Sequence, residues 1–115
     1  MKPNFTDERG TITDLFVNDE YSITHITFTD GAVRGNHYHE NTTQIDFILK
    51  GRLLCNRDGL ESQVTQGHVI TMSPKVKHAY RAYEDSEMLS ICFGVRKGTD
   101  YEKDVIRLTG KDKLI

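Results

Sequence analysis

Four glycines, each preceded by a turn-compatible residue, cut the chain into short runs: Asp30-Gly31, Lys50-Gly51, Asp58-Gly59 and Gln66-Gly67. Glycine adopts the positive φ of tight hairpins at no steric cost, so these dipeptides read as reversals of direction. Between and around them recur stretches rich in β-branched and aromatic residues: Thr11 to Val17, Tyr21 to Thr29, Ala32 to His39, Gln44 to Leu49, Arg52 to Asn56, Val69 to Met72, His78 to Ala82 and Met88 to Val95. No stretch reads as a convincing helix. The tail from Asp100 to Leu108 carries Val105-Ile106-Arg107-Leu108, which reads as a last strand or a short helix. The pattern predicts an all-β fold, and two sheets closed as a jelly roll satisfy it most economically.

At 115 residues the chain reads as one domain, residues 1–115, large enough to bury a core without covalent staples. The formal charge of -2, with acidic and basic residues interspersed, excludes the basic stripe that nucleic acid or an anionic membrane requires. Cys55 and Cys92 lack metal-type spacing and read as reduced, buried thiols. A polar N-terminal segment, MKPNFTDERG, and the lack of any apolar run near ~20 residues lead to the expectation of a cytoplasmic protein. Exposed sheet edges are expected, with Thr11 to Val17 able to complete a neighbour's sheet, which makes a homodimer the expected assembly.

Chemistry concentrates in two blocks. The first runs from Gly31 through His37, His39 and Gln44 to Gly51; the second runs from Gly67 through Ser73-Pro74-Lys75 to His78. In an extended strand His37 and His39 point the same way and Tyr38 the other. With Gln44 oxygen and His78, they supply three or four ligands to a divalent transition metal and leave coordination positions open. Zn, Mn, Ni, Fe and Co all accept such ligands, so the ion is not named by them. His25 and His68 lack such company and read as structural or surface residues.

These blocks resemble the paired motifs of the cupin superfamily: a glycine, a His-x-His pair, a carboxylate and a glycine, then a glycine, a Pro-x-Gly-like turn and the last histidine. The resemblance implies a double-stranded β-helix and a metal held by His37, His39, Gln44 and His78. Two departures stand out: Gln44 occupies the usual glutamate position, and Ser73-Pro74-Lys75 replaces Pro-x-Gly. An amide there leaves the charge of a bound dication unreduced, so an anionic ligand is attracted more strongly at the expense of metal affinity.

Three further residues are candidates for catalysis. Asp46 shares the face of Gln44 by strand alternation, where it would orient a ligand or act as a general base, unless the strand's twist leaves it at a wet mouth. Tyr80 shares the face of His78 and is a possible proton donor, packed aromatic being the commoner fate. Arg34 precedes Gly35-Asn36; if Gly35 forms a bulge, Arg34 turns to the pocket and clamps a carboxylate or phosphate. The segment Arg34-Gly35-Asn36-His37-Tyr38-His39, the Pro74 turn and the opening Asp7 to Ile12 are similar to cupins of sugar metabolism. Some of those relatives are metal-free nucleotide-sugar isomerases, a role in which His37 and His39 would be acid and base. Others are metal-binding tautomerases of unsaturated uronates in which glutamine takes the acid position. The expectation is therefore a metal-dependent isomerase, tautomerase or lyase acting on a small anionic sugar-derived acid. The metal-free isomerase, an iron-dependent dioxygenase and a metabolite-binding module without catalysis stand as alternatives.

Overall fold

A computed structural model describes residues 2–94 and 102–115. Eleven strands appear among them: β1 (Phe5–Asp7), β2 (Gly10–Val17), β3 (Tyr21–Phe28), β4 (Val33–His39), β5 (Thr43–Lys50), β6 (Arg52–Arg57), β7 (Leu60–Thr65), β8 (Val69–Met72), β9 (His78–Ala82), β10 (Ser86–Phe93) and β11 (Val105–Arg107). They form two antiparallel sheets, ordered β1-β2-β3-β10-β5-β8 and β11-β4-β9-β6-β7. This is the expected jelly roll. No described helix is long and apolar enough to cross a membrane. The expected strand end at Val95 and the start of the tail at Asp100 lie outside the described residues.

All four predicted glycine turns are present, with φ of 85° at Gly31, 91° at Gly51, 91° at Gly59 and 92° at Gly67. Asp58 joins Gly59 at positive φ, 52°, giving the two-residue type I′ reversal that pairs Arg57 with Leu60 across β6 and β7. Strand β7 was not expected: its first four residues are exposed, so it shows no alternation of apolar and polar positions. Strand β1 corrects another expectation. It pairs along Gly10 to Ile12, so the start of β2 is covered rather than a free edge.

Polarity divides the space between the sheets. Toward one end Leu53, Met72, Met88, Ile48 and Phe28 form a core at most 2% exposed, which Val64, Ile70 and Tyr80 extend. The other end is a cavity of about 450 Å³ into which β2, β3, β4, β5, β9 and β10 project polar side chains.

The turn before β9 is built without a glycine at its third position. Val76 donates its backbone N–H to Ser73 O (3.1 Å), Pro74 sits at the second position and Lys75 takes φ of 72° at the third. That is a type II turn with lysine where glycine is favoured. Left-handed backbone costs a non-glycine residue roughly 1–2 kcal/mol, partly offset by glycine's greater entropy when unfolded. Lys75→Gly is therefore expected to raise stability by about 0.5–1 kcal/mol. A higher urea midpoint with an unchanged slope would confirm it, and an equal or lower midpoint would refute it.

Candidate metal centre

The histidines meet because β4 contains a bulge. Arg34 pairs with Tyr80 and Gly35 with Ala79, after which the register slips so that His37, not Asn36, opposes His78. Gly35 has φ of 91°, and a Cβ there would lie 2.9 Å from His78 O, so no larger residue fits without displacing β9. Asn36, at φ of 56°, is anchored by its side chain, which accepts the N–H of Leu114 (2.8 Å) and Ile115 (3.1 Å). Through the slipped residue, Arg34 and His37 both reach the cavity although they stand three apart. The bulge expected at Gly35 is thus present.

His37, His39 and His78 offer ring nitrogens that all lie within 4.8 Å of one another. Each ring is oriented from behind or by its neighbours. His78 places Nδ1 3.0 Å from Val76 O, an acceptor, so Nδ1 carries the hydrogen and Nε2 keeps its lone pair. That Nε2 is buried and has no hydrogen-bond partner among the described residues. Burial also pushes the His78 pKa down, favouring the neutral imidazole that metals bind. His39 Nδ1 stands 3.4 Å from Asp104 Oδ2, within ion-pairing distance, which places a carboxylate behind the ring. His37 and His78 rings stand edge to face with centroids 4.7 Å apart. Three gathered imidazoles, His78 held neutral by burial with its Nε2 orphaned, fit a divalent transition metal.

Gln44 lines the same cavity, and its Nε2 donates to both oxygens of Asp46, at 2.9 Å each. Its amide oxygen is therefore the end left for the centre. Asp46 and Tyr80 correct the expectation of direct proton shuttles: neither lines the cavity. Asp46 is 0% exposed, so it is not at the wet mouth either. Tyr80 OH donates to Asp46 Oδ2 at 2.5 Å while its ring packs edge-on to Phe28. Burial raises the Asp46 pKa against the pull of hydrogen bonds from Tyr80, Ser90 and Gln44. Burial raises the Tyr80 pKa well above its ordinary range, and Asp46 adds to the effect. These two groups hold Gln44 from behind.

Arg34 does line the cavity, as expected once the bulge forms, together with Arg9, Arg107 and one carboxylate, Asp14. His25 pairs with Glu87 (2.9 Å), and His68 accepts the N–H of Thr65 (2.7 Å), so both have structural partners outside the centre. The sequence reading missed Asp104, whose Oδ1 accepts the N–H of Asn41 (2.7 Å) and Oδ2 the hydroxyl of Thr42 (2.6 Å). Burial raises its pKa, but those bonds and His39 outweigh burial and hold it below the ordinary carboxylate value. The one clue in the sequence is its position just before the apolar run of the tail.

The sequence model of the cupin domain matches residues 24–94. Among solved structures the fold is similar to that of KdgF from Halomonas sp., 17% identical, with 87% of this chain and 91% of that one covered and a TM-score of 0.75. It is similar to an RmlC-like cupin from Shewanella frigidimarina, 22% identical over 76% of this chain and 78% of that one, TM-score 0.70. The capsular polysaccharide assembling protein CapF from Staphylococcus aureus matches at 18% identity and TM-score 0.74, over 90% of this chain and 31% of its own. At such identities the likeness is one of fold. No curated protein matches the sequence.

Two outcomes follow from the braces behind the ligands. Asp104→Asn keeps the shape but loses the charge that holds His39, so apparent zinc affinity in a competition titration should fall about 10–100-fold; unchanged affinity would show that the pairing is irrelevant to binding. His78 works through protons. Its folded pKa lies below its unfolded one, so the metal-free fold is fully supported above the ordinary histidine pKa. As pH falls through that value the unfolded chain gains a proton that the native state resists, and stability drains by up to about 1.4 kcal/mol per pH unit. Urea titrations between pH 7 and 5 should show this slope reduced in His78→Gln; an equal slope in both proteins would refute the assignment.

Proposed function

Since the chain belongs to the cupin domain family, we propose that its histidine-lined cavity is the active site of a metal-dependent enzyme that moves a proton on a small anionic, sugar-derived acid. The reaction belongs to the isomerase, tautomerase or lyase class. The observation that carries the reading is the convergence of His37, His39 and His78 with His78 Nε2 buried and unpartnered. His37, His39, His78 and the Gln44 oxygen would hold a divalent ion, which would supply Lewis acidity toward a carbonyl or enol oxygen of the substrate.

The remaining tasks fall to the wall. Arg9, Arg34 and Arg107 line the cavity with the carboxylate Asp14; Arg9 is paired with Asp7 and Arg107 with Glu102, so the attraction for anions centres on Arg34. Neutral Gln44 adds no negative charge to oppose them. Asp14 is the carboxylate on the described wall and the proton carrier in this scheme, with Thr24 Oγ1 donating to its Oδ1 at 3.1 Å. Asp46 and Tyr80 act on the reaction through the orientation of Gln44. A carbohydrate substrate is in keeping with CapF, a fold neighbour described as assembling capsular polysaccharide. A cytoplasmic setting and a homodimer complete the proposal.

The rival reading, a metal-free isomerase, draws on His37 being the least buried of the trio and so the one best placed to meet substrate as a base. Elemental analysis and a panel of keto-sugars and unsaturated uronates separate the two. About one equivalent of transition metal, lost together with turnover in His78→Ala, is the expected result. Turnover that survives both metal removal and His78→Ala would favour His37 as acid and base, and binding without turnover across the panel would favour a metabolite-binding module.

A further inference from the structure

Beside the main cavity lies a second chamber of about 270 Å³. The two share Phe5, Arg9, Ile12 and Arg34, so they adjoin across Arg34. The chamber is walled by the β1–β2 hairpin, and its charged lining residues are Asp7, Arg9 and Arg34.

Arg34 is 9% exposed, yet its guanidinium is under-satisfied. Nη2 donates to Thr27 O at 3.2 Å, the group lies over the Phe28 ring at 5.5 Å, and Nε is buried without a hydrogen-bond partner among the described residues. Asp7 does not serve as its counterion, because that carboxylate is turned to Arg9. Asp7 Oδ1 accepts the Arg9 backbone N–H (2.9 Å), and Oδ2 accepts Nε (3.1 Å) and Nη2 (2.7 Å). The hairpin thus holds Arg9 at the chamber, and among the described residues no ion pair or hydrogen bond joins Arg34 to a carboxylate, Asp7 attracting it only through space. A buried cation with an unused N–H is costly unless an anion reaches it. The planar fork of Arg34 suits a carboxylate or phosphate, whose oxygens accept two parallel bonds.

We infer that Arg34 and Arg9 form a subsite for a second, anionic end of the substrate, a carboxylate or a phosphate, lodged where the two chambers meet while the other end lies at the histidines. This rests on the active-site reading above and adds the substrate's shape. At ~3.3 Å per strand residue, less the bulge, Arg34 stands roughly 7–10 Å along β4 from His37. A sugar acid or sugar phosphate spans that gap; an oxalate-sized acid does not.

Calorimetric titration with galacturonate, galactose 6-phosphate, oxalate and neutral galactose tests the inference on the metal-loaded protein. One of the two anionic sugars should bind at least ~30-fold more tightly than galactose, the preferred one identifying the anion, and Arg34→Gln should abolish that preference. Arg9→Gln, at an exposed position, should weaken it by roughly 3–10-fold, and both variants should retain their metal. In parallel, inorganic phosphate should shift the Arg34 Nε–H resonance of the wild-type protein, a readout independent of whether Arg34→Gln folds. Equal affinity for galactose and both acids, oxalate binding as tightly as the sugar acids, or an unmoved Nε–H signal would overturn the subsite while leaving the metal centre standing. Metal lost from Arg34→Gln would trace its affinity loss to the centre and also count against the subsite. Conversely, a metal-free wild-type protein that still shows the phosphate shift would overturn the reaction proposed above and preserve the subsite.

Discussion

The pairing of β4 with β9 across the Gly35-Asn36 bulge is the constraint on which the site depends. Side chains alternate along a strand, so Arg34 and His37 would face opposite sides of a regular β4. One extra residue resets the phase, and His37 comes to oppose His78 while Arg34 stays opposite Tyr80. The device is held from both sides. Gly35 backbone presses against β9 so closely that only hydrogen fits, and Asn36 is bound to Leu114 and Ile115. Imidazole cluster and arginine share one cavity for that reason.

Below the histidines polarity falls away in steps, and the steps explain the amide at position 44. Asp46 is buried completely, and a buried carboxylate is costly unless donors surround it. Tyr80 supplies one donor and Gln44 supplies Nε2 to both oxygens. A glutamate in place of Gln44 would offer no such donor when ionised and would set two carboxylates side by side, driving one of them to take up a proton. Gln44 therefore faces two ways: its nitrogen stabilises the buried acid and its oxygen is presented to the centre. The departure from the commoner motif follows from the residue two places along the strand.

The fold was largely legible because its strands are punctuated by glycines whose φ is required by the turns. What escaped were elements with no periodic signal. Strand β7, reading Leu-Glu-Ser-Gln-Val-Thr, buries little besides Val64, and β1 buries nothing. At the site, alternation correctly assigned Asp46 to the face of Gln44 and Tyr80 to that of His78, but a shared face says nothing of depth. Depth comes from the apolar core against which Tyr80 packs, and that core is assembled from both sheets. Asp104 was invisible for a related reason. Its place beside His39 is set by the register of β11 on β4, in which Val105 opposes His39, a contact between segments far apart in the chain.

That distance has an energetic consequence. Asp104 binds Thr42 and the Asn41 amide while facing His39, so the tail, the β4–β5 turn and the imidazole cluster form a single cooperative unit. Glu40 adds its N–H to Asp104 O, and a Cβ at Gly94 would lie 2.4 Å from Thr42 Oγ1, so the end of β10 closes tightly on the same turn. Were an ion held by the imidazoles, the Asp104 carboxylate behind His39 would favour it, which would couple ion binding to the placement of the tail. Linkage is reciprocal: whatever free energy that carboxylate would add to ion binding, ion binding would return to the fold around it. Although β11 spans only Val105–Arg107, its register on β4 sets Asp104 beside the imidazoles as well as extending the sheet.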